Sequence, residues 1–131
     1  MIVVDTSAFL AVLLREEDAE LYARAIADAD ACILSAVSLL EACLVVTARG
    51  AGVVIADIDD LLQRAGIAVI PFDRDHAVTA RDAFERFGKG RHPAGLNMGD
   101  CAAYALARSR RLQLLFKGKD FSKTDIASAL P

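Results

Sequence analysis

Four short apolar runs constrain this chain more than any other feature: residues 1–4 (Met-Ile-Val-Val), 32–34 (Cys-Ile-Leu), 67–70 (Ile-Ala-Val-Ile) and 112–116 (Leu-Gln-Leu-Leu-Phe). They show little alternation of apolar and polar residues. Runs of that kind suit strands covered on both faces, the condition of a parallel sheet. The stretches between them read as helices over residues 8–14, 16–29, 36–49, 53–64, 73–87 and 100–109. Ser35 is placed to cap the third of these, Gly50 and Gly66 to stop the third and fourth, and Pro71 to close the third strand. A weak final helix is expected over 124–129. The order β-α-α-β-α-α-β-α-α-β predicts an α/β fold with a mostly parallel sheet of four or five strands and helices on both faces. Residues 87–99, with Gly88, Gly90, Pro93, Gly95 and Gly99, form the only long irregular stretch. Long loops in compact domains are functional or disordered.

The 131 residues match one domain, and no repeat or linker divides them. Hydrophobic residues make up 55 %, above the usual share. Either the core is generous or some apolar surface meets a partner. No apolar run is long enough to span a membrane, and the first residues lack the basic start and long apolar stretch of a signal peptide. A cytoplasmic location is expected. Cys32, Cys43 and Cys101 are odd in number, lack short ligand spacing and sit in apolar stretches, as buried residues of a reducing compartment would. His76 and His92 stand far apart, which argues against zinc. The net charge of −3 argues against a passive nucleic-acid module with a basic face, but not against a nuclease built on carboxylates.

Certain acids break the local pattern. Glu41 shares helical spacing with Val37, Leu44, Val45 and Ala48, which places it on an apolar stripe facing inward. A buried, unpaired carboxylate is costly, so Glu41 needs a cation or a route to water at the edge of the stripe. Asp5 ends the first strand, where parallel sheets place their chemistry, and equally suits a helix cap. Asp100 opens a helix three residues after Asn97, as a cap, a dipole partner or a ligand. Asp120 lies in the turn after the last strand and suits a surface turn as well as a site. If these strand ends share one sheet edge, the four acids converge. Oxygen donors without His or Cys then point to magnesium or manganese.

Four blocks carry a resemblance: Val-Val-Asp-Thr-Ser-Ala at 3–8, Leu-Ser-Ala-Val-Ser-Leu-Leu-Glu at 34–41, Leu-Asn-Met-Gly-Asp-Cys-Ala-Ala-Tyr-Ala-Leu-Ala at 96–107 and Leu-Leu-Phe-Lys-Gly-Lys-Asp-Phe at 114–121. Together they resemble VapC-type toxins, the PIN-domain ribonucleases of type II toxin–antitoxin systems, along almost the whole chain. The resemblance implies a three-layer α-β-α PIN-like domain over residues 1–131. It implies an endoribonuclease for structured RNA, either tRNA or rRNA. Asp5, Glu41 and Asp100 match the acids that hold Mg²⁺, with Mn²⁺ as a substitute. Asp120 falls where the family often has a fourth catalytic acid, while Gly118 and Lys119 occupy positions where many relatives carry an acid or a polar residue. Thr6 or Ser7 matches the hydroxyl that steadies the first acid, and Asn97 a polar residue supporting the site. Lys89, Arg91, Lys117 and Lys119 are the candidate phosphate contacts. The implied partners are RNA, a VapB-like antitoxin seated on residues 9–14, 21–26 and 53–62, and a second copy in a homodimer, with a heterotetramer or larger assembly when antitoxin binds.

Two other readings compete. A catalytically silent PIN-fold module would bind antitoxin or RNA without cutting. A phosphoacceptor signalling domain would use Asp73 after the third strand and Lys117 after the last. It lacks a second acid beside Asp5, where Thr6 and Ser7 stand, and gives no reason for Glu41.

Overall fold

The structure, a computed structural model, describes residues 1–131. Its strands are β1 (Ile2–Val4), β2 (Cys32–Ser35), β3 (Ile67–Ile70) and β4 (Gln113–Leu115). Its helices are α1 (Thr6–Leu13), α2 (Ala19–Asp28), α3 (Ala36–Arg49), α4 (Ile55–Ala65), α5 (Arg74–Phe87) and α6 (Met98–Arg110). All strands pair in parallel, in the order β3-β2-β1-β4.

Strand side chains point alternately to opposite faces, and here both faces are covered. Val4, Leu34 and Leu115 join a core with Phe9, Ala11, Tyr22, Ile26, Ala42, Val46 and Ile58 from α1 to α4. Their neighbours Val3, Ile33 and Leu114 join a second core with Ala83 of α5 and Cys101, Tyr104 and Leu106 of α6. That division makes three layers and explains why the strands read as continuous apolar runs. Every residue of α6 from Cys101 to Ala107 is buried. The small side chains Ala102, Ala103, Ala105 and Ala107 let this helix lie close between the sheet and α5.

The strand order sets where chemistry can occur. From β1 the chain builds outward through β2 to β3, then crosses back to place β4 on the other side of β1. The carboxyl ends of β1 and β4 therefore flank a topological switch point, where crossovers diverge to opposite faces and leave a crevice. Asp5 directly follows β1 in that crevice, and its backbone N–H donates to Leu115 O at 2.9 Å.

The expected final helix over 124–129 does not form. A 3-10 turn at Phe121–Lys123 leads into extended chain. The Thr124 hydroxyl donates to Phe121 O and accepts from Ile126 N–H, a local turn that competes with helix. The open edge of β4 then takes the backbone: Leu114 N–H donates to Ala127 O and Ala129 N–H to Leu114 O, a parallel bridge between Leu114 and Ser128. Asp125 anchors this segment. It accepts from the Tyr104 hydroxyl at 2.6 Å and from Arg86 Nη2 at 3.0 Å, with Arg108 at 3.4 Å. Burial and the bond to Asp125 push the Tyr104 hydroxyl up to about 12. The three cysteines are free thiols. No helix is long and apolar enough to cross a membrane.

Candidate active site

Asp5 is the N-cap of α1, and the cap and site readings prove compatible. Its Oδ2 accepts the Ser7 backbone N–H at 3.0 Å and the Ser7 hydroxyl at 2.5 Å. Its Oδ1 is buried with no hydrogen-bond partner. The residue is only 3 % exposed. Burial pushes the Asp5 carboxyl up to about 7, against the pull of the Ser7 hydroxyl, and the charges of Asp100 and Glu41 add to the rise. A buried carboxylate oxygen without a donor is costly unless a cation or a proton meets it.

Asp100 repeats the arrangement. It is the third residue of α6 in a reciprocal cap: Asn97 Oδ1 accepts Asp100 N–H at 2.9 Å, and Asp100 Oδ2 accepts Asn97 N–H at 3.0 Å. Burial raises its pKa above the usual carboxylate range, against the Asn97 backbone bond, and the charges of Glu41 and Asp120 raise it further. Asn97 thus fixes Asp100 through its cap.

Glu41 reaches the same space from the second turn of α3, but not from the stripe expected. The buried face of α3 is Ser38, Ala42 and Val46, whereas Leu44, one of the supposed stripe residues, is 61 % exposed. Glu41 stands at the edge of the buried face. Its apolar neighbours mark a second, outward apolar surface that includes Leu40. Its carboxylate lies over Gly99: a Cβ on that glycine would fall on Glu41 Oε2 and come within 2.7 Å of Cδ. Gly99 makes room for the Glu41 carboxylate, a close approach that spacing alone did not reveal. The available signal was a glycine inside an alanine-rich helix, where glycine normally costs stability. Gly99→Ala is therefore expected to raise intrinsic helix stability by about 0.5–1 kcal/mol while displacing Glu41. Thermal unfolding together with a cleavage assay should show stability held or raised and activity lowered.

None of the ion pairs in the structure involves Asp5, Glu41 or Asp100. The chain itself supplies no cation to this carboxylate space. The acids do not close into a tight three-residue ligand set by themselves. Glu41 is the one member that no hydrogen bond holds. Asp120 is exposed at the start of the 3-10 turn, and its charge is felt at Asp100.

Of the two hydroxyls beside Asp5, only Ser7 reaches the carboxylate. Thr6 instead donates to Ser38 O at 3.3 Å, tying α1 to the helix that carries Glu41. The basic candidates also separate. Lys89 and Lys119 are exposed and outside every ion pair, and Arg91 is exposed with its Nε donating to Glu85 O at 3.3 Å. The Lys117 ammonium is occupied by Glu16 at 2.8 Å and Asp18 at 2.9 Å. Asp73 caps α5, accepting His76 N–H at 2.9 Å, and lies outside the carboxylate group.

Comparison with known proteins agrees with this architecture. The family model described as PIN domain matches residues 2–127. A ribonuclease VapC of Mycolicibacterium smegmatis is 46 % identical over 126 residues, covering 96 % of this chain and 98 % of that protein. Ribonuclease VapC28 of Mycobacterium tuberculosis is 46 % identical over 129 residues, covering 98 % and 97 %. Among solved structures, Mycobacterium tuberculosis VapC20, a sarcin-ricin loop cleaving toxin, superposes with a TM-score of 0.76 at 17 % identity, covering 97 % of each chain. A toxin-antitoxin complex from Klebsiella pneumoniae superposes with a TM-score of 0.70 at 14 % identity, covering 95 % of this chain and 93 % of that one. The structural likenesses speak for the fold, and the close sequence relatives for the lineage. With the family model matched over residues 2–127 and relatives 46 % identical along nearly the whole length, the chain belongs to the PIN-domain family, among the VapC ribonucleases.

Proposed function

We propose that this VapC-family chain acts as one PIN domain, a metal-dependent endoribonuclease that cleaves structured RNA, tRNA or rRNA, as the toxin of a type II toxin–antitoxin pair. One observation supports the reading: carboxylates from three distant segments lie near enough for their charges to raise the pKa of Asp5 and Asp100, no ion pair reaches them, and Asp5 keeps a buried oxygen without a partner. The donor set fits a hard divalent ion, with all-oxygen ligands and no His or Cys. Asp5, Glu41 and Asp100 would hold Mg²⁺ or Mn²⁺. When bound, such an ion acidifies water and offsets charge developing on a phosphodiester.

The protein's own groups do the rest. Ser7 and Asn97 each hold one carboxylate in place through hydrogen bonds. Burial of Asp5 excludes bulk water from its side of the crevice. Lys89, Arg91 and Lys119 supply positive charge for phosphate on the loops leading to Asp100 and Asp120. A groove of about 420 Å³ between the end of α1 and α4, lined by Val12, Leu13, Leu14, Val53 and Leu61 with Arg15, Asp57, Asp60 and Arg64 beside them, supports an amphipathic antitoxin segment as partner. Exposed Leu40, Leu44 and Met98 support burial against a second copy in a homodimer. The chain's VapC relatives support a cytoplasmic enzyme.

Cleavage-site mapping on total cellular RNA tests the reading. Cutting should stop with EDTA and return with Mn²⁺. Asp120→Ala should lower the rate less than loss of Asp100, because Asp120 is exposed at the rim. RNA left intact at every concentration of either ion would reduce the chain to a PIN-fold binding module.

A further inference from the structure

Lys117 departs furthest from what its position in the sequence suggests. It directly follows Phe116 beyond β4, where a phosphate contact is expected. Its Nζ instead lies 2.8 Å from Glu16 Oε1 and 2.9 Å from Asp18 Oδ1. Both acids stand on the connection between α1 and α2. The pair of ion pairs clamps that connection to the exit of β4. Two carboxylates on one ammonium also leave it little net attraction for phosphate.

The main chain of the same residue reaches the site. Lys117 N–H donates to Ser7 Oγ at 2.9 Å. A serine hydroxyl has one proton and two lone pairs. With Lys117 N–H on a lone pair, the Ser7 proton is directed to Asp5 Oδ2. Ser7 N–H occupies the same oxygen. Asp5 Oδ2 is thereby satisfied, and Oδ1 is the oxygen left buried without a partner.

We propose that Lys117 is a positioning residue for Asp5: clamped by Glu16 and Asp18, it fixes the backbone N–H that orients the Ser7 hydroxyl, and so presents the free Asp5 oxygen to the metal site. The proposal rests on the reading of Asp5 as a cation ligand. It replaces a phosphate contact with a relay from an exposed ion pair to a buried carboxylate.

The test uses the intact protein, with Lys117→Met, Lys117→Arg, the double variant Glu16→Gln/Asp18→Asn, and Lys117→Met combined with the double variant. The readouts are Mn²⁺ affinity by calorimetry at pH 8, and kcat and KM for RNA cleavage at limiting and saturating Mn²⁺. Lys117→Met and the acid double variant should each weaken Mn²⁺ binding by about threefold to tenfold, below the 10–100-fold typical of a group that touches the ligand itself. Both should lower kcat at limiting Mn²⁺ and recover at saturating Mn²⁺, and Lys117→Met should leave KM for RNA unchanged. The combined variant should be no worse than either parent, since all three residues form one network. Lys117→Arg should retain affinity. The double variant alters only side chains at the surface, so it carries the test if Lys117→Met fails to fold. A raised KM in Lys117→Met with unchanged Mn²⁺ affinity would return the residue to phosphate binding and overturn the proposal. So would unchanged Mn²⁺ affinity in the double variant. Wild-type protein that binds no Mn²⁺ would overturn the metal reading itself, before any variant is compared.

Discussion

Asp5→Asn is expected to give a protein that is more stable at pH 8 in the absence of divalent ions and nearly inactive. The two effects share one cause. In the fold, Asp5 is buried against Asp100 and Glu41 and its carboxyl is pushed up to about 7. Between the usual carboxylate range and pH 7 the folded state therefore holds a proton that the unfolded state has released. Stability of the metal-free protein falls as pH rises through this window and levels off above it. The full shift sets a ceiling of about 4 kcal/mol, and relaxation of the site will reduce it. Asparagine removes the charge, keeps an oxygen for Ser7 and turns an N–H₂ toward the acids. A gain of about 1–3 kcal/mol at pH 8 is expected, which is roughly 4 °C in Tm for each kcal/mol in a chain of this size. The gain should vanish near pH 4, where wild-type Asp5 is protonated as well. Cleavage should fall by at least about a hundredfold, because in the proposed site the change removes a ligand rather than a supporting group. A variant less stable than wild type at pH 8, or one that still cuts RNA well, would separate burial of this charge from catalysis.

The second large effect is on the metal requirement. A cation and a proton compete for Asp5, so divalent-ion affinity should drop roughly tenfold for each pH unit below 7. At fixed, limiting Mg²⁺, cleavage should fall with the same slope, and added Mg²⁺ should restore it. Stability then behaves oppositely in the two forms. With EDTA, Tm should decline from pH 4 toward pH 7. With saturating Mn²⁺ the decline should be offset progressively as pH rises, since the ion binds only the folded state. A metal requirement that stays flat from pH 5.5 to 8 would show that no carboxyl of raised pKa takes part.

Much of this was legible in the sequence because local and global signals agreed. The four apolar runs formed the four strands, and the absence of alternation in them reported two covered faces. Asp5 and Asp100 stood out because each follows a strand end or opens a helix, positions where an acid serves as a cap, as a ligand or as both. What escaped had physical reasons. Spacing places Glu41 on a buried stripe because Leu44 and its neighbours are apolar, yet that face is open in the structure; hydropathy alone cannot distinguish a core face from an outward apolar one. The segment after Thr124 has helical composition, but an unpaired edge of β4 and the anchor at Asp125 capture it as extended chain. Gly99 and Lys117 depend on contacts with residues some 58 and 100 positions away in the chain, and no local pattern encodes such contacts. The strand order was likewise hidden, since apolar runs carry no label for their neighbours.

In the proposed site, Asp5, Glu41 and Asp100 together hold one or two divalent ions. Calorimetric titration of Mn²⁺ at pH 8 into wild type, Asp5→Asn, Glu41→Gln and Asp100→Asn tests it most directly. The prediction is saturable binding to the wild type and a loss of at least about tenfold in affinity for each substitution, with every variant still folded. Wild-type affinity in any one of the three variants would contradict the shared site.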